Sequence, residues 1–155
     1  MRALLERDLA EILEGALREI PSVRWYHTHD SRRSPEGWPD YVIYVGTAIP
    51  PQLLFSELKK AGGSPTAEQV EWLLAIASAM QPAILAGGAA GVSSVVELVR
   101  GIAKGRRISP AALGRVLVFG DVSPSGRAAV GGTAAADSMP SRPRALGTRR
   151  RRRGS

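Results

Sequence analysis

A chain of 155 residues is one domain's worth, long enough to bury a core and too short for two. It has no cysteine, which excludes disulfides and thiolate metal sites and makes a reducing cytoplasm the natural setting. The formal net charge is +7, yet residues 1–120 carry 13 Lys/Arg against 12 Asp/Glu, and residues 121–155 carry 8 against 2. The basicity is therefore a property of the tail, and charge alone does not make the folded part a nucleic-acid binder.

In chain order, Leu5, Leu9, Ile12, Leu13, Ala16, Leu17 and Ile20 recur at helical spacing and predict an amphipathic helix over 3–19, ended by Pro21. Its acids break any secretory apolar core. Val23–Thr28, rich in aromatic and branched residues, predicts a strand. Asp30–Pro39 is a polar loop punctuated by Pro35, Gly37 and Pro39. Tyr41–Val45 is a continuously apolar strand, expected at the centre of a sheet. Pro50-Pro51 marks a turn before a strand over Leu53–Lys59.

Thr66, with Gln69 three residues on, has capping-box spacing and opens a helix. Ala83–Ala86 reads as a short strand and Val92–Ala103 as a helix. The uncharged run Trp72–Val96 is long enough to span a bilayer, but Gln81-Pro82 and its glycines and serines favour a helix, a turn and a strand. Ile108–Phe119 is ambiguous between helix and strand, and from Ser123 no apolar period survives, which predicts disorder. The order α-β-β-β-α-β-α implies an α/β fold, a mixed central sheet flanked by helices. Residues 1–104 form the domain, 105–122 an extension and 123–155 the Arg-rich tail.

Asp40 opens the second strand, and Glu57 and Lys59 close the third. If these strands are antiparallel neighbours, the two carboxylates converge on one hard divalent cation, which prefers oxygen ligands. Glu57 and Lys59, about 6.6 Å apart along a strand, share a face, and the Leu58 backbone carbonyl can turn to the metal. Lys59 then orients the attacking water or neutralises a scissile phosphate. Each piece has a plainer reading: Pro39-Asp40 as a turn, Glu57-Leu58-Lys59 as a solvated strand end, Gln69 as a cap only.

Gly37-Trp38-Pro39-Asp40, Phe55-Ser56-Glu57-Leu58-Lys59 and Thr66-Ala67-Glu68-Gln69, in that order, resemble the PD-(D/E)xK nuclease superfamily, and within it the VRR-NUC group, whose stand-alone versions are common in bacteriophages. The resemblance covers roughly residues 5–100. It implies a restriction-endonuclease-like core and Mg²⁺ or Mn²⁺ as cofactor. It also implies Asp40 and Glu57 as metal ligands, Lys59 as catalytic lysine, Gln69 as an active-site glutamine and Glu6 as an additional acid. One departure stands out. After Ala83-Ile84-Leu85 the chain runs into Ala86-Gly87-Gly88-Ala89-Ala90-Gly91, which puts the edge strand in doubt.

His27 and His29 set two imidazoles on one strand face, but no third metal ligand is apparent. With Arg32, Arg33 and Lys60, His27 is a candidate nucleic-acid contact, against the plainer reading of a solvated polar loop. Trp25, Trp38 and Trp72 are expected in packing rather than base stacking. Arg149, Arg150, Arg151, Arg152 and Arg153 would add salt-sensitive, sequence-blind affinity for a phosphate backbone. The expected function is metal-dependent hydrolysis of nucleic acid, DNA foremost, without a membrane partner. A homodimer or a replication or recombination partner remains open. The competing reading is a non-catalytic binding module of the same fold, with its affinity in the arginine tail.

Overall fold

The computed structural model describes residues 3–29 and 31–131. Helix α1 (Glu6–Arg18) buries Leu9, Ala10, Leu13 and Leu17 along one stripe. Strands β1 (Val23–His27), β2 (Tyr41–Val45) and β3 (Gln52–Lys59) follow, then α2 (Ala67–Ser78), β4 (Ala83–Gly87) and α3 (Gly88–Ala103). Beyond them lie a short helix α4 (Pro110–Leu113), strand β5 (Leu117–Gly120) and helix α5 (Pro124–Gly131).

The five strands lie in the order β1-β2-β3-β4-β5. β1, β2 and β3 pair antiparallel, Tyr41 opposite both His27 and Ser56, whereas β4 and β5 run parallel to β3. A mixed sheet flanked by helices is what the element order predicts. One detail differs: β2 is an interior strand, but β3 is the central one. Only one face of β2 is buried, for its residues alternate, with Tyr41, Ile43 and Val45 inside and Tyr44 exposed. An unbroken apolar run therefore misstates its setting, because Val42 and Tyr44 add apolar character on the open face.

Side-chain alternation divides the core into two layers. On one face α1 and α3 pack over Tyr41, Ile43, Leu54, Leu58, Ile84 and Ala86. On the other, α2 and α5 cover Ala83 and Leu85, with Phe55 and Val118 at the margin. That second cover does not reach the β1–β2 end, where Tyr26 is 60% exposed and Tyr44 and Leu53 are also exposed.

Two expectations about the second half are corrected. β4 is not an edge, since β5 pairs with it, Gly87 opposite Gly120. The glycine-rich stretch after Leu85 is what permits this: a Cβ on Gly87 would overlap the Asp121 backbone, and one on Gly120 would overlap Gly87 and Gly91. Residues 105–122 thus complete the sheet instead of appending to it. Nor does order end at Ser123. The Ser123 hydroxyl accepts the Gly126 amide at 3.0 Å and Pro124 starts α5, which buries Val130 against the α2 layer. The Arg149–Arg153 run lies outside the described residues. Among the described residues no helix is long and apolar enough to cross a membrane.

Candidate active site

The antiparallel pairing of β2 and β3 sets Tyr41 opposite Ser56, so Asp40, one residue earlier, stands beside Glu57. Asp40 Oδ2 accepts the Leu58 backbone amide at 2.9 Å, which fixes one carboxylate against the end of β3. Leu58 itself is buried in the α1–α3 layer. Its neighbours Glu57 and Lys59 point the opposite way, toward α2, as alternation requires. Lys59 Nζ lies 2.7 Å from Glu57 Oε1, and the two side chains are only 11% and 1% exposed.

The loop before β2 is clamped onto the first turn of α2. Gly37 has φ +80°, and a Cβ there would overlap the backbone of Glu68. The Trp72 indole donates to the Glu36 carbonyl at 3.0 Å, and Trp38 meets Trp72 edge-on with ring centroids 4.9 Å apart. These tryptophans secure the loop that carries Asp40. Trp25 lies under the Arg18 guanidinium, 5.9 Å from ring centroid to carbon.

Gln69 joins helix and strand, and its two sequence readings turn out to be one arrangement. Its amide donates to Thr66 Oγ1 at 3.2 Å, and its Oε1 accepts the Thr66 amide at 2.8 Å, a complete capping box. The same side chain uses Nε2 to donate to Glu57 Oε1 at 2.5 Å. Glu57 Oε1 therefore receives both Lys59 and Gln69, while Oε2 is buried with no hydrogen-bond partner.

The electrostatics follow from crowding acids around one ammonium. Burial, then the neighbouring Asp40 charge, pushes the Glu57 carboxyl up to about 7 despite the opposing pull of Lys59. Asp40 is also raised, by burial above all, against the Leu58 amide and Lys59. For Lys59, burial alone would favour the neutral amine, but Glu57, Glu6 and Asp40 outweigh it and hold the ammonium charged. Glu6, exposed on the first turn of α1, is near enough to act on both Asp40 and Lys59. The buried Glu57 oxygen without a hydrogen-bond partner stands beside the Asp40 carboxylate, and oxygen is the ligand type that a hard divalent cation prefers.

The remaining predicted contacts fall differently. Arg32 and Arg33, on a 3-10 turn at Ser31–Arg33, and Lys60, just past β3, are exposed. His27 is not displayed to solvent in the same way. Its Nδ1 lies 2.9 Å from Glu14 Oε1 and 3.1 Å from the Tyr41 hydroxyl, and its ring stacks on Tyr41 with centroids 4.3 Å apart. The Tyr41 hydroxyl also donates to Glu14 Oε1 at 2.9 Å. His29 is exposed, its ring 3.9 Å from that of His27. Nothing in the sequence marks Tyr41 as a site residue, and Glu14 stands there only as one of the acids of α1 that rival Glu6. The one hint is that Glu14 borders the apolar stripe of α1 beside Leu13 and Leu17, where an acid needs a partner.

Neither a family model, nor a curated protein, nor a solved structure matches the chain at significant similarity.

Proposed function

We propose that the chain is a metal-dependent nuclease whose site is Asp40, Glu57, Lys59 and Gln69. The observation that carries this reading is the Glu57 carboxylate, one oxygen held by Lys59 and Gln69, the other buried without a partner next to Asp40. Asp40, Glu57 and the Leu58 backbone carbonyl would hold Mg²⁺ or Mn²⁺, with Glu6 as a further acid. When bound, such an ion lowers the pKa of its water and stabilises the charge that builds on a phosphodiester under attack.

The chain's own residues do the rest. Gln69 keeps Glu57 in one rotamer by tying it to the start of α2. Asp40 is oriented by the Leu58 amide. Lys59, held charged, is an electrostatic partner for the scissile phosphate and a donor that orients the attacking water. The burial that raises Glu57 also keeps bulk water from competing with these contacts. Arg32, Arg33, Lys60 and the Arg149–Arg153 run are suited to the phosphate backbone, which they would grip without reading sequence. DNA is the expected polymer.

The test is cleavage of supercoiled, flapped and four-way-junction DNA with Mg²⁺ or Mn²⁺, wild type beside Asp40→Ala and Lys59→Ala, with binding measured in parallel. Cleavage lost in both variants with binding retained supports the assignment. Cleavage that survives both substitutions refutes it, and salt-sensitive binding with no cleavage by any version favours the binding-module reading.

A further inference from the structure

Beyond the carboxylate site, a second cluster of metal-ligating groups occupies the other face of the sheet. His27 and His29 come from the end of β1 and the residue pair after it, Glu14 from α1. One donor atom from each of the three lies within 4.8 Å of the others. The imidazole pair leaves open the question of a third ligand as long as only the strand is considered. The packing of α1 against β1 and β2 answers it with Glu14.

We propose that Glu14, His27 and His29 form a binding site for a transition-metal dication of the Zn²⁺ or Co²⁺ type, separate from the oxygen site at Asp40 and Glu57. Two imidazoles and a carboxylate suit borderline-soft ions, whereas Mg²⁺ takes oxygen ligands and keeps its water. Three protein ligands leave at least one coordination position open to solvent or to an anion. The site is also supported from behind. Tyr41, fully buried, directs its hydroxyl at Glu14 Oε1 and lies within 3.1 Å of His27 Nδ1, an outer-shell arrangement that fixes ligand orientation.

The Glu14 carboxylate is held in place by the Tyr41 hydroxyl and by His27 Nδ1, each 2.9 Å from Oε1. The second carboxylate oxygen faces Arg18 at 3.7 Å, leaving Oε1 to His27 and the Tyr41 hydroxyl. Asp40 and Tyr41 are consecutive at the head of β2, and the Tyr41 ring stacks on His27. A metal at the histidine cluster would therefore add positive charge close to where the first site collects negative charge.

The chain's composition makes the test clean, because it holds two histidines and no cysteine. Co²⁺ is added to the untagged full chain in excess Mg²⁺, and ligand-field absorption in the visible is recorded for wild type, His29→Ala, Glu14→Gln and Glu57→Gln. One Co²⁺ per chain is expected, with the intense bands of low-coordinate, nitrogen-ligated cobalt in wild type and in Glu57→Gln. Affinity should fall at least tenfold in His29→Ala, a change at an exposed position that does not threaten folding, and should also fall in Glu14→Gln. No low-coordinate spectrum in wild type, a spectrum unchanged by His29→Ala, or one abolished by Mg²⁺ would overturn the assignment. None of these readouts depends on cleavage, so the nuclease reading can fail while this one stands.

Discussion

Raising the pH of the metal-free protein from 6 to 8 strips the proton from Glu57, whose carboxyl sits at about 7, and a divalent cation must win its place against that proton. Counting Glu57 alone, the ionised fraction rises from about one in eleven at pH 6 to about ten in eleven at pH 8. Apparent cation affinity should therefore rise about tenfold, equivalent to about 1.4 kcal/mol. In a melt at a cation concentration ten times the dissociation constant at pH 8, linkage adds about 1.4 kcal/mol, and the same concentration at pH 6 adds only about 0.4 kcal/mol. For a fold of this size, that is a rise in Tm of about 5 °C at pH 8 and under about 2 °C at pH 6.

Without the cation the sign reverses. A carboxyl whose folded value lies above its unfolded one weakens the fold as pH climbs from about 4.5 through about 7, here by at most about 3 kcal/mol, a figure in which the pull of Lys59 is already counted. The assay is a set of thermal melts with Mg²⁺ or Mn²⁺ from pH 5.5 to 8.5. Glu57→Gln should flatten both the pH trend and the cation response. A cation response independent of pH, or one that persists in Glu57→Gln, would refute the reasoning.

Lys59→Ala should reduce cleavage on the order of 10²-fold or more, while the cation still raises Tm, because the lysine is not a ligand; loss of both would assign Lys59 a structural role. Gly37→Ala should destabilise by about 1–3 kcal/mol, given the positive φ and the overlap with Glu68, and a denaturant midpoint equal to wild type would show that the loop does not depend on that approach. Deleting residues 141–155 should leave Tm unchanged and lower the slope of log K against log salt by up to about 6, the effect of seven arginines. An unchanged slope in DNA-binding titrations would place the electrostatic contact on the folded part.

Much of the first hundred residues is legible because each element carries two agreeing signals. α1 has its apolar stripe and Pro21; α2 has Thr66 and Gln69. The position of Asp40 beside Glu57 was conditional on antiparallel neighbours, and the β2–β3 register supplies that condition. The second half was less legible for a definite reason. Ser109-Pro110 and Ser123-Pro124 are each a capping serine followed by a proline at the first helical position, and both start helices. Read only for apolar periodicity, a four-residue helix and one rich in Gly and Ala leave no trace. The glycines at 87 and 91 looked like a broken strand end because their partner, Gly120, lies about thirty residues on. Glu14 escaped assignment because helical spacing shows which face of α1 is buried, not which strand residue meets its margin.

Gln69 has one further consequence. A single amide side chain closes the first turn of α2 and grips the carboxylate that any ligand in the site must engage. Whatever draws Glu57 away from Gln69 therefore loosens the helix start, and whatever tightens that contact stiffens it. The backbone amides of Gln69 and Val70, which bond back to Thr66, become a local gauge of events at β3. Their hydrogen-exchange rates should report site occupancy with no substrate and no turnover.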